Sequence, residues 1–359
     1  MPAPAAEVDA GGRAVRVSSP DRVIFPATSA GPEVTKLEVV EYYVAVGDAV
    51  MRALRDRPTA MERWPKGVHP GVRLSTGYGD KADAFYQKRV PRGAPSYLET
   101  AGITFPSGRS AEEMTPTEVA VVAWAAQMGT ITFHPWPVRR PEVDRPDELR
   151  IDLDPQPGTG FTDAVRAAEV LREVLDELGL VGHPKTSGNR GLHVYVRIEA
   201  RWEFLDVRHA AVALGRELAR RDPGVTTAWW KEERGERVFV DYNQNCRDRT
   251  IASAWSLRPL PGAPVSMPVT WADLPDVDPR DFTLHSAPGL LASRGDAMAG
   301  MDEHAGSLET LLAWWERDLG DGLGELPFPP DHPKMPGEPP RVQPSRKVAS
   351  HWEDDETGE

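Results

Sequence analysis

Two aspartates, Asp152 and Asp154, sit one residue apart in LRIDLDPQPG, an apolar run that ends in a Pro/Gly turn. In a strand, alternate side chains share a face, so both carboxylates point one way while Ile151 and Leu153 point the other. Side-by-side carboxylates repel each other, and without a cation one is pushed toward protonation. A hard divalent ion such as Mg²⁺ or Mn²⁺ removes that conflict. An isolated DxD is more often a solvated strand end, and that alternative stays open for the pair alone. RVFVDYNQN adds a third acid, Asp241, near the end of another apolar strand. Three aspartates at the ends of two strands can serve two metals in phosphoryl or nucleotidyl transfer.

A second stretch, TSGNRGLHVYV, reads as a turn between strands. Gly188 and Gly191 permit positive φ and close approach of a ligand. Backbone amides in such a turn can cradle an anion, with Ser187 adding a hydroxyl and Arg190 a permanent charge. His193 shares a strand face with Tyr195. An ordinary β-turn beside a packed histidine is the competing reading. No GxxxxGK[ST] loop occurs.

The elements that must position these groups follow from periodicity. LRIDLD is a strand, 162–178 an amphipathic helix closed by Gly179, HPKTSGNRGLHVYVRI two strands around the glycine turn, 205–221 a helix, and TTAWW and RVFVDY two more strands. That strand–helix–strand–strand–helix–strand order is an α+β unit of RNA-recognition type. Upstream, 37–54 and 116–127 read as helices, the latter with Thr115 as N-cap and Pro116 at its first position. Residues 308–319 read as a closing helix. Residues 1–15 read as a flexible leader and 321–359, Pro-rich and then acidic, as a disordered tail.

The chain has 359 residues and a formal net charge of −13, which taken alone argues against a nucleic-acid partner. Charge is uneven, however. From Arg52 to Arg109 there are eleven Lys/Arg against five Asp/Glu, a basic patch compatible with a polyanion. One cysteine, Cys246, excludes an intramolecular disulfide and a cysteine-cluster zinc site. No apolar run is long enough for a transmembrane helix and no signal region opens the chain, so a cytoplasmic location with no membrane partner is the expectation.

DLD, SGNRGLH, and VFVDYNQN followed by SLR, in that order and each separated by a helix, resemble the polymerase module of bacterial ligase D, within the archaeo-eukaryotic primase superfamily. RWPKGV, the FY pair and FHPW are further family features, and the resemblance runs from about Val17 to Trp315. It implies an RNA-recognition-like catalytic sheet (149–320) packed with an N-terminal α/β, DNA-binding part (16–148). The implied activity is that of a primase-polymerase acting in gap filling or end joining, with two divalent ions (Mn²⁺ or Mg²⁺) and a preference for ribonucleotides among NTP and dNTP substrates. Carried over by motif, Asp152, Asp154 and Asp241 are the metal ligands. His134, Ser187, Gly188, Arg190, His193 and Arg258 surround the incoming nucleotide. Arg22, Lys36, Arg63, Phe85, Tyr86 and Lys88 contact DNA, Arg22 and Lys36 at a 5′-phosphate and the aromatic pair stacking on template. Phe-Tyr replaces the family's Phe pair, and Arg190 stands where many members carry lysine. Glu62 stands where some members have a basic residue, which puts DNA contacts near it in doubt. Implied partners are DNA with a 5′-phosphate gap or end, a separate ATP-dependent ligase, since no KxDG motif occurs, and a Ku-type end-binding protein. The implied setting is bacterial and nucleoid-associated. A two-metal nuclease and a non-catalytic 5′-phosphate-binding module that recruits a ligase are the alternatives; the SGNRGLH cradle counts against the first and the three aspartates against the second.

Overall fold

The computed structural model describes residues 4–75, 82–105 and 108–327. The chain starts with a hairpin, β1 (Ala5–Asp9) and β2 (Ala14–Ser18). Asp9 Oδ1 accepts from Gly12 N at 2.7 Å, and Gly11 and Gly12 both take positive φ in its turn. The expected leader is therefore structured from Pro4 onward, because Val15 and Val17 bury one face of β2. A short pair, β3 (Val23–Phe25) and β4 (Val34–Thr35), leads into α1 (Lys36–Ala45), which opens with a capping box of Thr35 and Glu38.

The single helix expected over 37–54 is two, α1 and α2 (Gly47–Leu54), with a break at Val46. Gly47 lies against Val119, where a Cβ would stand 3.0 Å from that side chain. Both pieces bury their apolar faces in one core, so the spacing runs through the break. Four strands follow: β5 (Thr59–Arg63), β6 (Phe85–Gln87), β7 (Glu99–Thr104) and β8 (Ser110–Thr115). Thr115 thus closes a strand instead of capping a helix; α3 (Val119–Gln127) begins after an extended Glu118, whose carboxylate pairs with Arg13. Then β9 (Thr130–Pro135) pairs with β5, which is also paired with β6.

The second sheet starts with β10 (Glu148–Pro155), followed by α4 (Phe161–Glu177), β11 (Gly182–Thr186), β12 (Leu192–Arg197), α5 (Phe204–Arg221), β13 (Val225–Thr226), α6 (Lys231–Arg234) and β14 (Val238–Val240). Its order is β11-β12-β10-β14-β13. The expected fourth and fifth strands are shorter than read: of TTAWW only Thr226 is in a strand, β13, together with the preceding Val225, and Asp241 lies just beyond β14. Ile151, Leu153, Val194 and Val240 face the core under α4 and α5. Gly215 of α5 sits so close to β14 that a Cβ there would lie 3.4 Å from Val240 Cγ1.

The opposite, polar face meets the first sheet through residues 251–268. Ser253 N donates to Phe133 O at 2.9 Å and Thr132 Oγ1 to Leu257 O at 2.7 Å. At the head of β10 a buried ion network ties the halves together: fully buried Arg57 contacts Asp147 at 2.6 Å and Glu148 at 2.7 Å. Burial alone would push the Asp147 carboxyl up, but Arg57, Arg197 and Arg139 hold it below its usual range. The chain closes with α7 (Ala287–Arg294) and α8 (Glu309–Gly320), the latter as expected. Residues 321–327 are docked and not a free tail; 328–359 lie outside the described residues. Among the described residues no helix is long and apolar enough to cross a membrane.

Candidate active site

Antiparallel register puts the acidic groups together. Asp152 lies opposite His193 on β12, and Asp154 opposite Phe239 on β14. One step on, Asp241 N donates to Asp152 O at 2.9 Å, which brings Asp241 alongside Asp152. Asp241 leaves the strand at φ −81°, ψ 82° and caps a 3₁₀ turn, Tyr242–Asn245. Its Oδ1 accepts from Asn243 N at 3.1 Å and its Oδ2 from Gln244 Nε2 at 2.9 Å. Asp154 Oδ2 accepts from Gln156 Nε2 at 3.1 Å.

Burial, then the charges of Asp241 and Asp154, push the Asp152 carboxyl well above its usual range. Asp241 is also raised, by burial, against the pull of Arg249 and Gln244. Among the described residues no three His, Cys, Asp or Glu side chains form a ready metal cage. The acids instead form an open arc of hard oxygen donors in mutual repulsion. That fits a divalent ion whose remaining ligands are water and substrate phosphate, as Mg²⁺ prefers.

Ser187, Arg190, His193, Arg258 and His134 line one open cleft together with Asp152 and Asp154. Gly188 holds φ +73°, and a Cβ there would stand 2.5 Å from Arg258 Cγ. Only glycine allows both the turn and that approach. Gly191 has no positive φ; it is required because a Cβ would come within 2.9 Å of Leu153 O. The expected amide cradle is partly used internally, since Asn189 N and Gly191 N both donate to Ser187 Oγ. Arg258 Nε is buried with no protein acceptor among the described residues. Such an orphan donor beside a polar cleft fits an anionic ligand. Arg190 is exposed at the cleft mouth.

Each histidine has a buried partner that the motifs did not reveal. Lys185 on β11 lies opposite His193, with Nζ 2.8 Å from His193 Nδ1 and a second bond to Ser266 Oγ. Ser266 Oγ itself donates to Thr186 O at 2.7 Å, so it accepts from the lysine. Burial and Arg258 push the Lys185 ammonium well below its usual range, with Asp152 opposing. Burial, Lys185 and Arg258 likewise keep His193 neutral. With Nδ1 accepting from Lys185, His193 presents Nε2–H toward Asp152 Oδ1, 3.4 Å away.

Glu62 is buried, accepting from Trp64 Nε1 at 3.1 Å and standing 2.9 Å from His134 Nε2. Burial raises the Glu62 carboxyl, but His134 and Arg258 outweigh it and keep it ionised, while burial lowers His134 despite Glu62. Glu62 thus serves His134 and does not face DNA. Strand alternation was the available signal for both partners, once β5/β9 and β11/β12 are paired.

The remaining candidates do not line this cleft. Tyr86 is 46% exposed, with its ring edge-on to His134 at 5.2 Å. Phe85, its strand neighbour, points to the opposite face, under the Arg63 guanidinium. The pair therefore does not present two rings to one base. Arg63 bonds to Met128 O and Gln87, and Lys88 pairs with Asp248 over the Phe105 ring. Lys36 is buried, donating to Ser18 O at 2.7 Å, and burial with Arg22 nearby lowers its ammonium to about 8. Arg22 is exposed and donates to Pro65 O at 3.0 Å.

The family model described as LigD, primase-polymerase domain, matches residues 35–298. The multifunctional non-homologous end joining protein LigD of Pseudomonas aeruginosa is 32% identical over 86% of this chain and 35% of its own length. Its namesake in Mycolicibacterium smegmatis is 31% identical over 89% of this chain and 40% of its own length. The chain thus spans well under half of these relatives. A solved structure, the polymerase domain from Mycobacterium tuberculosis ligase D in complex with DNA, superposes with a TM-score of 0.71 at 27% identity, covering 81% of this chain and 99% of that one. With the βαββαβ sheet, the acidic arc and the facing cations, these matches identify the fold as that of the archaeo-eukaryotic primases, and the chain belongs to the LigD primase-polymerase domain family of nucleotidyltransferases.

Proposed function

We propose that this chain is a template-directed primase-polymerase that adds nucleotides to a primer 3′-hydroxyl during gap filling or end joining. The observation that carries this reading is the single cleft in which Asp152 and Asp154, with Asp241 beside them, face Ser187, His193 and Arg258. A nuclease needs the acids but not the Arg258 guanidinium, whose buried Nε has no acceptor among the described residues, or the Ser187 hydroxyl in the same cleft.

Asp152, Asp154 and Asp241 would hold two divalent ions. Such ions, when bound, lower the pKa of the attacking hydroxyl and stabilise the leaving pyrophosphate. Arg258 and Arg190 would bind the triphosphate oxygens, with the Ser187 hydroxyl and His193 Nε2–H as neutral donors. Donors fixed in a partly dry cleft need no reorganisation as charge develops. His134, whose Nε2–H is held by ionised Glu62, keeps Nδ1 as an acceptor for a hydroxyl. Tyr86, exposed beside His134, would stack on a base. Arg22, exposed near the buried Lys36, would meet a downstream 5′-phosphate. Sealing would come from an ATP-dependent ligase, and end synapsis from a Ku-type protein.

The test is extension of a labelled primer on a short gap with a 5′-phosphate, comparing rNTP with dNTP and Mn²⁺ with Mg²⁺. Lengthening is expected, with rNTP and Mn²⁺ favoured. Asp152→Ala should remove nearly all addition while DNA binding stays close to the parent's. Shortened primers, or an Asp152→Ala variant as active as the parent, would refute the reading.

A further inference from the structure

The 3₁₀ turn that carries Asp241 is four residues long, and such turns are weak by themselves. One side is fastened to the sheet: Asn245 Oδ1 accepts from Arg150 N at 2.9 Å and its Nδ2 donates to Arg150 O at 2.8 Å. The other side has no strand beside it. There Asn243, whose backbone N donates to Asp241 Oδ1, is held by a segment from far along the chain. Asn243 Nδ2 donates to Pro327 O at 3.0 Å, and Tyr242 OH donates to the same carbonyl at 3.3 Å. Arg208 of α5, fully buried, joins the two: Nε donates to Asn243 Oδ1 at 3.1 Å, and its other nitrogens reach Glu325 Oε2 at 2.7 Å and the carbonyls of Leu326 and Pro327. Glu325 also bonds His209, which stacks on Trp315 of α8 at 4.2 Å. The match to the family model ends at residue 298, so the strap lies outside it.

We propose that the Glu325–Pro327 strap, acting through Arg208 and Asn243, is a positioning device for Asp241. It fixes the turn that aims this carboxylate beside Asp152, and so sets the affinity of the acidic arc for a divalent ion. The inference rests on Asp241 being a metal ligand. Its physical basis is that hydrogen-bonded partners orient a ligand, here Asn243 N directly and the strap one step further out through the Asn243 side chain. Their loss costs about tenfold or more in metal affinity.

The experiment uses the full chain with Glu325→Lys, which sets a cation against Arg208 and His209, and with Arg208→Met, which removes the bond to Asn243 directly. Mn²⁺ binding is read from the paramagnetic resonance of free ion, alongside the half-saturating Mn²⁺ for primer extension and the KM for nucleotide. Asp241→Asn is the reference. The expected result is an Mn²⁺ Kd raised about tenfold in both strap variants, with nucleotide KM at saturating Mn²⁺ and DNA affinity near the parent's. If Asp241→Asn weakens Mn²⁺ binding but the folded strap variants do not, the strap is merely structural and the inference falls while the metal reading stands. If Asp241→Asn leaves Mn²⁺ binding unchanged, the role of Asp241 falls and the inference with it. Should Arg208→Met fail to fold, Glu325→Lys at an exposed side chain decides the question alone.

Discussion

Replacing Gly188 with alanine tests whether the glycine turn exists to admit Arg258. The perturbation has two parts. At φ +73° an L side chain costs about 1–2 kcal/mol. The new Cβ would also stand 2.5 Å from Arg258 Cγ and 3.2 Å from Ser266 N. The Ser266 amide is fixed by its bond to Ser256 O, so Arg258 must yield. A displaced guanidinium forfeits one charge-assisted contact to phosphate, about 1.5–3 kcal/mol. At 1.4 kcal/mol per decade that is about 10- to 150-fold in nucleotide affinity. Steady-state extension should show the loss in nucleotide KM, and urea unfolding a stability loss of about 1–2 kcal/mol. The double variant Gly188→Ala/Arg258→Ala supplies the decisive comparison. If the alanine acts by displacing Arg258, the double variant binds nucleotide no worse than Arg258→Ala alone. Additive losses, or an unchanged KM in Gly188→Ala, would refute the displacement argument.

Tyr86→Ala should weaken template use by about 1–3 kcal/mol with an unchanged melting temperature, whereas Phe85→Ala, which uncovers Arg63, should lower stability more than template use; equal effects in both assays would contradict the split faces. Lys185→Met strips the donor from His193 Nδ1 and Ser266 Oγ, so nucleotide KM should rise about tenfold for the loss of one oriented hydrogen bond; a parent-like KM would show that His193 needs no such orientation. Burial pushes the Glu113 carboxyl up to about 8, against Lys88 and the bond from Trp136 Nε1. Its folded pKa exceeds the unfolded 4.5, so the folded state holds the extra proton and stability falls as pH rises between those values. From pH 5 to 8 this group's share is on the order of 4 kcal/mol at most; Glu113→Gln should flatten that slope in urea unfolding, and parallel slopes would count against a protonated Glu113.

The polar face of the catalytic sheet was legible because strand alternation needs only a strand. LRIDLD, HVYV and VFVD each assign their polar residues to one side without knowledge of the partner strand. Asp241 illustrates the margin: the strand ends at Val240, yet register still carries the next residue opposite Asp152. What sequence could not supply was pairing across distance. Glu62 reads as a misplaced charge until β5 meets β9, seventy-two residues on, and makes it the partner of His134. Lys185 reads as an ordinary strand residue until β12 turns back against it. Arg63 and Lys88 belong to the basic patch over 52–109, and Lys36 to the implied 5′-phosphate contact, but local acceptors engage each of them. The hairpin at 5–18 was passed over because short exposed strands alternate weakly, although Asp9–Gly12 is a turn former between them.

An acidic chain can serve a polyanion because the charges that decide binding are few and desolvated. Charge on solvated faces is screened by salt within about 8–10 Å. In and under the cleft, Asp152, Lys185 and His193 are pinned by burial beside the half-buried Arg258, which bears on the ionisation of all three. Asp152 alone is unstable as an anion beside Asp154 and Asp241, and Lys185 alone is unstable as a cation. Each makes the other tolerable, and neither is satisfied. A ligand that brings divalent cations to the acids and phosphate oxygens to Arg258 relieves both sides at once. A mononucleotide without metal would relieve only the basic side and leave the carboxylates repelling its phosphates. Nucleotide and divalent ion should therefore bind with positive coupling, each raising the affinity for the other by the same factor.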